Sequence, residues 1–559
     1  MKKSIAKSLK KEIKLSEKEI EILIEIPPSS SMGDFAFPCF VLSKQLKKSP
    51  QQIAQDLKLK IKLPKGFANI DAHGAYLNFT LDRKMFAENL IREILKQKEK
   101  FGNSDIGKGK KIMIEFPSPN TNKPLHLGHL RNMSIGESIS RIFEFHGNKI
   151  IRANLNNDRG IHICKSMVAY KKFGKGKKPD KKSDHFVGDF YVLFNEKLKQ
   201  NPELEEKSKE CLIKWENGDK EIIGLWKKMN KWTLDGFNKT YNLFGIKHDK
   251  EYYESDIYKK GKEIIHDGLK KKVFEKKEDG AIAINLGKEL GEKILLRSDG
   301  TSVYITQDLY LAKLKEEDFN LDGSIYVVGN EQEYHFKVLF SILEKLNFRV
   351  SKNLKHLSYG MVNLPEGKMK SREGKVIDAD DLILEVQSLV KKNLDSRAKL
   401  SKKELESRSL IIALSAIKYL LLKVDSKKNM LFNPKESINF EGDTGPYLLY
   451  SYARANSILK KANSKTKSFL VTELEPVEIE LVKKLSQFPE VVFSSYKNYN
   501  PSLIANYSYE LSKIFNEFYH ACPVIHSLQK NFRLKLIESF KIVLKNSLNL
   551  FGIETLEEM

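Results

Sequence analysis

The feature that most constrains this chain is a change of grammar along its length. From about Lys110 to Val362 short apolar strands alternate with helical stretches, and after about Asp380 only helical periodicity remains. Strands are expected at residues 111–116, 149–155, 293–296, 303–306, 324–329 and 356–362, with helices from about Leu127 and over 334–346. Such alternation builds a parallel sheet with crossover helices. Residues 163–275 are helical and charged, as in an insertion, and seven lysines in 171–182 mark a solvated loop there. Helical periodicity at 405–423, 445–461, 477–487, 504–520 and 534–551 reads as a bundle.

The first hundred residues form a small mixed module, with helices expected at 16–26, 40–46 and 50–57 and a strand over 68–81. The Gly- and Lys-rich stretch 103–111 is the first linker. The expected fold is therefore α/β, a Rossmann-type parallel-sheet domain with a helical insertion, a small N-terminal α/β module and an all-helical C-terminal bundle. The expected division is 1–105, 106–380 with the insertion at about 163–275, a helical connector at 381–439, and 440–559.

Composition narrows the partners. Lys and Arg number 97 against 73 Asp and Glu, a formal net charge of +24 in 559 residues. That excess suits a polyanion such as nucleic acid, but the charge is scattered, and AT-rich coding also enriches lysine. Cys39, Cys164, Cys211 and Cys522 include no C-x-x-C pair, which excludes a zinc ribbon or disulfide scaffold and favours a reducing cytoplasm. The longest apolar run, 410–422, is interrupted by Ser415 and Lys418 and falls short of the about 20 residues a membrane span needs. The N-terminus has no continuous apolar stretch and is not read as a signal peptide.

The sharpest motif is residues 115–129, E-F-P-S-P-N-T-N-K-P-L-H-L-G-H, where a strand passes through a tight loop into a helix N-terminus. Free N–H groups and the positive dipole end at such a place hold phosphates. His126 and His129 can then face one ligand and donate to charge developing on an α-phosphate, while Gly128 lets a flat base approach the backbone. Two other readings are open on these residues, helix-capping core histidines and a two-histidine metal site; the second lacks a third ligand at suitable spacing. A second motif, residues 367–375, G-K-M-K-S-R-E-G-K, is a glycine-flanked cationic loop suited to a triphosphate.

Together these stretches resemble the HIGH and KMSKS motifs of class I aminoacyl-tRNA synthetases. Neighbouring residues narrow the resemblance to arginyl-tRNA synthetases. Ser118 to Arg131 matches S-x-N-x-x-K-P-x-H-x-G-H-L-R, and Asn157-Asp158-Arg159-Gly160 is similar to N-D-x-G. Tyr304 to Asp308 resembles the Y-x-T-x-D strand end, residues 327–336 the V-G-x-E-Q-x-x-H-F element, and residues 440–448 the F-E-G-N-T-G-P-Y-L element. The resemblance implies ATP-dependent joining of L-arginine to its tRNA through an arginyl-adenylate. Other readings are a different H-x-G-H nucleotidyltransferase and a non-catalytic tRNA-binding paralogue.

By resemblance, Lys123, His126, His129 and Lys368 are catalytic, and His126, Gly128, His129, Lys368, Met369 and Ser371 bind ATP. Glu115, Ser118, Asn120, Tyr304, Asp308 and Gln332 bind arginine, whose planar cation favours carboxylates at strand ends. The N-terminal module is expected to touch the tRNA elbow, and Tyr452 and Arg454 of the anticodon bundle to contact tRNA by stacking. Tyr447 and Tyr450 are expected in the core. Mg²⁺ arrives with ATP and no dedicated protein metal site is expected; a cytoplasmic monomer is expected, with no membrane partner. In 367–375 the fourth motif position is Ser371 rather than lysine, and the resemblance gives Lys123 that missing charge in place of Lys370.

Overall fold

The computed structural model describes residues 1–29, 32–301, 303–363, 377–395, 400–463 and 468–559. The chain divides into two compact units, one of residues 1–101, 458–487 and 513–543, the other of residues 102–457, 488–512 and 544–559. No helix among the described residues is long and apolar enough to cross a membrane.

The second unit is built on strands β1 (Lys111–Glu115), β2 (Lys149–Asn156), β3 (Lys250–Tyr253), β4 (Gly323–Gly329) and β5 (Leu354–Tyr359). All pair in parallel, in the order β5-β4-β1-β2-β3. From β1 the chain builds outward through β2 and β3, then crosses back to place β4 on the other flank of β1. The order therefore reverses between β1 and β4, and a crevice opens beyond their carboxyl ends.

Helix α1 (Leu127–Phe145) carries the chain from β1 toward β2 and is buried along most of its length. It lies so close to the sheet that a Cβ at Gly136 would stand 2.4 Å from the Phe116 ring. Helices α2 (Ser183–Leu198) and α3 (Lys220–Phe244) belong to the insertion, and α4 (Tyr304–Phe319) and α5 (Glu333–Lys345) flank β4 in sequence. Helices α6 (Ala379–Asp395), α7 (Lys402–Lys423) and α8 (Gly445–Ala462) follow.

Three strand expectations need correction. Residues 303–306 open helix α4, because Ile305, Leu309 and Ala312 bury one helical face with Ile282 and Leu295. Ile and Thr favour strands locally, and packing overrides that preference. Residues 293–296 do form a strand, Glu292–Leu296, but in a separate antiparallel sheet with Ile282–Asn285 and Glu275–Lys276. Conversely, β3 lies inside the stretch read as helical. Its sequence K-E-Y-Y offers no apolar run, since an edge strand keeps polar residues on its exposed side.

In the first unit the expected strand over 68–81 is a hairpin, Phe67–His73 with Tyr76–Leu81, turned at Gly74, whose φ is +57°. Phe35–Pro38 pairs antiparallel on the other side of Tyr76–Leu81. Helices Glu17–Leu23 and Pro50–Lys60 each begin with a reciprocal capping box, Ser16 with Glu19 and Ser49 with Gln52. In the helical part of this unit the Arg533 guanidinium lies 2.7 Å from the buried Glu478 carboxylate, and the Phe515 and Phe540 rings stack at 3.8 Å.

The contact at Gly136 sets an expectation for stability. Gly136→Ala overpacks the strand–helix contact and should cost about 1–3 kcal/mol. Gly224→Ala, at an exposed position of helix α3 with nothing within 4 Å of its new Cβ, should stabilise by about 0.5–1 kcal/mol. Thermal unfolding of the two variants against the parent chain distinguishes them by sign.

Candidate active site

At the end of β1 the chain must turn sharply and deliver a helix N-terminus over the sheet edge. The loop that does so is pinned by amides of β2 and the segment after it. Ser118, at φ +55°, donates its N–H to Asn154 Oδ1 at 3.1 Å, and Asn157 Nδ2 donates to the Ser118 carbonyl at 3.0 Å. Thr121 N–H reaches the Asn157 carbonyl at 3.1 Å, and Asn157 N–H reaches the Pro119 carbonyl at 3.0 Å. The Thr121 hydroxyl donates to Asn230 Oδ1, whose amide holds the Asp158 carbonyl, while the Asp158 carboxylate accepts from Ser255. The N-D-R-G stretch thus serves as the loop's scaffold.

Helix α1 then begins at His126 as its N-cap. Gly128 N–H donates to His126 Nδ1 at 3.1 Å, and His126 N–H donates to His129 Nδ1 at 3.0 Å, a reciprocal cap made of two imidazoles. With each Nδ1 accepting a backbone proton, the neutral rings carry their protons on Nε2. Burial pushes His126 down to about 3, with the Lys123 charge adding. Burial, His126 and Lys123 together hold His129 well below the usual imidazole range. Both rings are therefore neutral donors, with centroids 3.9 Å apart. Gly128 has a local reason as well: a Cβ there would stand 2.9 Å from His126 Cε1.

The described chain just beyond residues 364–376 is bonded to this turn. Leu127 N–H donates to the Ile377 carbonyl at 3.1 Å, and Ala379 N–H to the Leu125 carbonyl at 2.9 Å. Lys368, Met369, Lys370 and Ser371 lie outside the described residues. Lys123 and His126 line a cavity of about 530 Å³ together with His185, Tyr191 and Asp378.

The expected arginine ligands gather less uniformly. Glu115 ends β1, is 5% exposed, and is ion-paired through Oε2 to the buried Lys315 of α4. Asp308, two turns earlier on α4, is held by Oδ2 at 2.7 Å from His335 Nε2, and that bond raises the His335 pKa. The Ser118 hydroxyl is buried without a hydrogen-bond partner among the described residues. Asn120 and Gln332 are exposed, and Tyr304 opens α4 with 82% exposure.

Sequence reasoning missed Lys315, whose only signal is its place seven residues after Asp308 on one helical face. It also missed a cluster in the insertion. Lys182 Nζ donates at 2.8 Å to Asp184, Asp380 and Thr240, and His185 bonds Asp380 at 3.2 Å. Asp184, His185 and Asp380 have metal-ligand spacing, but the Lys182 ammonium already meets both carboxylates.

The tRNA-stacking expectation at Tyr452 is corrected by burial. The side chain is 1% exposed and its hydroxyl donates to Glu557 at 3.0 Å. Leu448, Leu449, Tyr452 and Ala455 share the buried face of α8, whereas Tyr450 and Arg454, four apart, share another. Tyr450, expected in the core, is instead exposed. Its ring lies under the Arg454 guanidinium at 4.6 Å, and Arg454 donates to its hydroxyl at 2.9 Å.

The model of the class I (R) tRNA synthetase catalytic domain matches residues 90–433. The arginyl tRNA synthetase N terminal domain matches 1–81 and the DALR anticodon binding domain 448–559. Arginine–tRNA ligase of Treponema denticola is 48% identical, covering 96% of this chain and 95% of that protein. The ligase of Borrelia hermsii is 44% identical, covering 99% and 97%. The solved Thermus thermophilus arginyl-tRNA synthetase superposes with a TM-score of 0.84 at 26% identity, over 100% of this chain and 99% of that one. At such identity from end to end, the chain belongs to the arginyl-tRNA synthetase family, within class I of the aminoacyl-tRNA synthetases.

Proposed function

We propose that the crevice beyond β1 and β4 is where this ATP-dependent arginine–tRNA ligase forms arginyl-adenylate before transfer to tRNA. A carboxylate oxygen of arginine attacks the α-phosphate of ATP, and pyrophosphate leaves with the electron pair of the broken bond. The terminal ribose hydroxyl of tRNA then attacks the acyl carbon, and AMP leaves. Neither step needs a covalent enzyme intermediate, so the protein's task is positioning and charge stabilisation.

The observation that carries this reading is the reciprocal imidazole cap. It leaves two neutral Nε2–H donors at one helix N-terminus, suited to oxygens whose charge grows in the transition state. Lys123 lies three residues before that cap and supplies a point charge for the phosphates, with Lys368, Met369 and Ser371 assigned to the nucleotide by resemblance. Mg²⁺ enters with ATP. Glu115 and Asp308 are assigned to the guanidinium with Tyr304, and Ser118, Asn120 and Gln332 to the rest of arginine.

For tRNA, the exposed Tyr450, with the half-buried Arg454 over its ring, suits stacking on a splayed base, where the buried Tyr452 does not. On the same reading residues 1–105 form the tRNA-elbow module, 106–380 the catalytic domain, 381–439 a connector and 440–559 the anticodon-binding domain. A cytoplasmic monomer completes the proposal. Its test is arginine-dependent exchange of pyrophosphate into ATP, with and without tRNA; exchange that ignores arginine would refute it.

Two further outcomes are expected. His129→Asn keeps an acceptor for the His126 N–H but loses the Nε2 donor. Its thermal midpoint should stay close to the parent's while the adenylation barrier rises by about 2.7–4 kcal/mol. A stable variant with parental exchange would remove His129 from catalysis. Lys123→Ala should slow single-turnover adenylation in saturating tRNA far more than Lys370→Ala, with arginine binding little changed in either. The reverse ranking would give the triphosphate to the loop.

A further inference from the structure

Both carboxylates assigned to the guanidinium are held in the same manner, each through one oxygen by a basic side chain. For Asp308 the holder is His335, which belongs to the V-G-x-E-Q-x-x-H-F element. For Glu115 it is Lys315, which lies in none of the motifs that led to the family.

Three elements fix the Lys315 ammonium. Helix α4 supplies the stem, which is 2% exposed. Strand β1 supplies Glu115, whose Oε2 accepts from Nζ. Strand β4 supplies Tyr326, in register with Glu115, and its ring centroid lies 4.5 Å from the ammonium. Among the described residues no other hydrogen bond reaches the Glu115 carboxylate. Burial works against the ammonium, but Glu115 and Tyr326 outweigh it and raise the Lys315 pKa.

An ammonium this far from water is costly unless it is paired, and here the Glu115 carboxylate and the Tyr326 ring supply the pairing. Two carboxylates alone would overcharge a pocket meant for one cation, and a lone buried Glu115 would be free to rotate. We propose that Lys315 is a positioning residue for arginine selection: it ties down one oxygen of Glu115, presents the other to the substrate, and cancels one of the pocket's two negative charges. This rests on the reading that Glu115 binds arginine.

The test uses the full-length chain in pyrophosphate exchange with tRNA present, reading KM for arginine and for ATP. Lys315→Met should raise the arginine KM by about tenfold or more while the ATP KM stays within about twofold. Lys315→Arg, which keeps the charge, should recover most of the loss. Adding Lys315→Met to Glu115→Gln should raise the arginine KM no further than Glu115→Gln alone, because the lysine acts only through that carboxylate. The double variant removes both buried charges together, so it serves where Lys315→Met alone fails to fold.

An arginine KM unchanged in Lys315→Met but raised in Glu115→Gln would overturn the positioning role and leave the site reading intact. Equal losses for arginine and ATP in Lys315→Met, or a further tenfold loss in the double variant, would also overturn it. An arginine KM unchanged in Glu115→Gln would remove the site reading itself.

Discussion

The N–H groups in the first turn of helix α1 need partners, and two of them take imidazole nitrogens. Most features of the site follow from that exchange of hydrogen bonds. An Nδ1 that accepts from the backbone cannot also carry a proton, so the tautomer of each ring is set by the fold. Protonating either ring would break the cap, which agrees with the direction in which burial and Lys123 move both groups. The His126 ring folds back over the turn, so position 128 has no room for a side chain. The loop before the cap needs its own supports, and the amides of Asn154, Asn157 and Asn230 provide them.

The part of the crevice proposed for arginine follows a different logic, one of charge rather than cap geometry. Glu115 and Asp308 belong to different elements, yet each is gripped by a single basic partner through a single oxygen. A guanidinium presents a planar fork of donors, and fixed carboxylates meet such a fork better than mobile ones. Helix α4 is the common strut, since it carries Tyr304, Asp308 and Lys315 at intervals that keep them near one side.

Residues 115–131 were legible in the sequence because the chemistry demands particular residue types at adjacent positions, where spacing is visible. The parallel sheet was legible for the same reason, through short apolar runs at regular intervals. What escaped depended on partners remote in sequence. Lys315 meets Glu115 across 200 residues, and its place seven residues after Asp308 says nothing of that partner. Strand β3 has the composition of a loop because only one edge of it is paired. The exchange of Tyr450 for Tyr452 has a geometric cause: a tyrosine suits either face of an amphipathic helix, and Leu448, Leu449 and Ala455 decide which face is inward.

The Lys182 cluster carries a consequence for how the enzyme meets its ionic surroundings. Asp184, His185 and Asp380 converge as a divalent ion would ask them to, and the position is taken by a cation on a covalent tether. A hydrated ion exchanges with the solvent and its occupancy follows the cell's supply; an ammonium on a side chain has constant local concentration. The join between α2 and the start of α6 is thereby held by a cation whose presence does not depend on the solution around it.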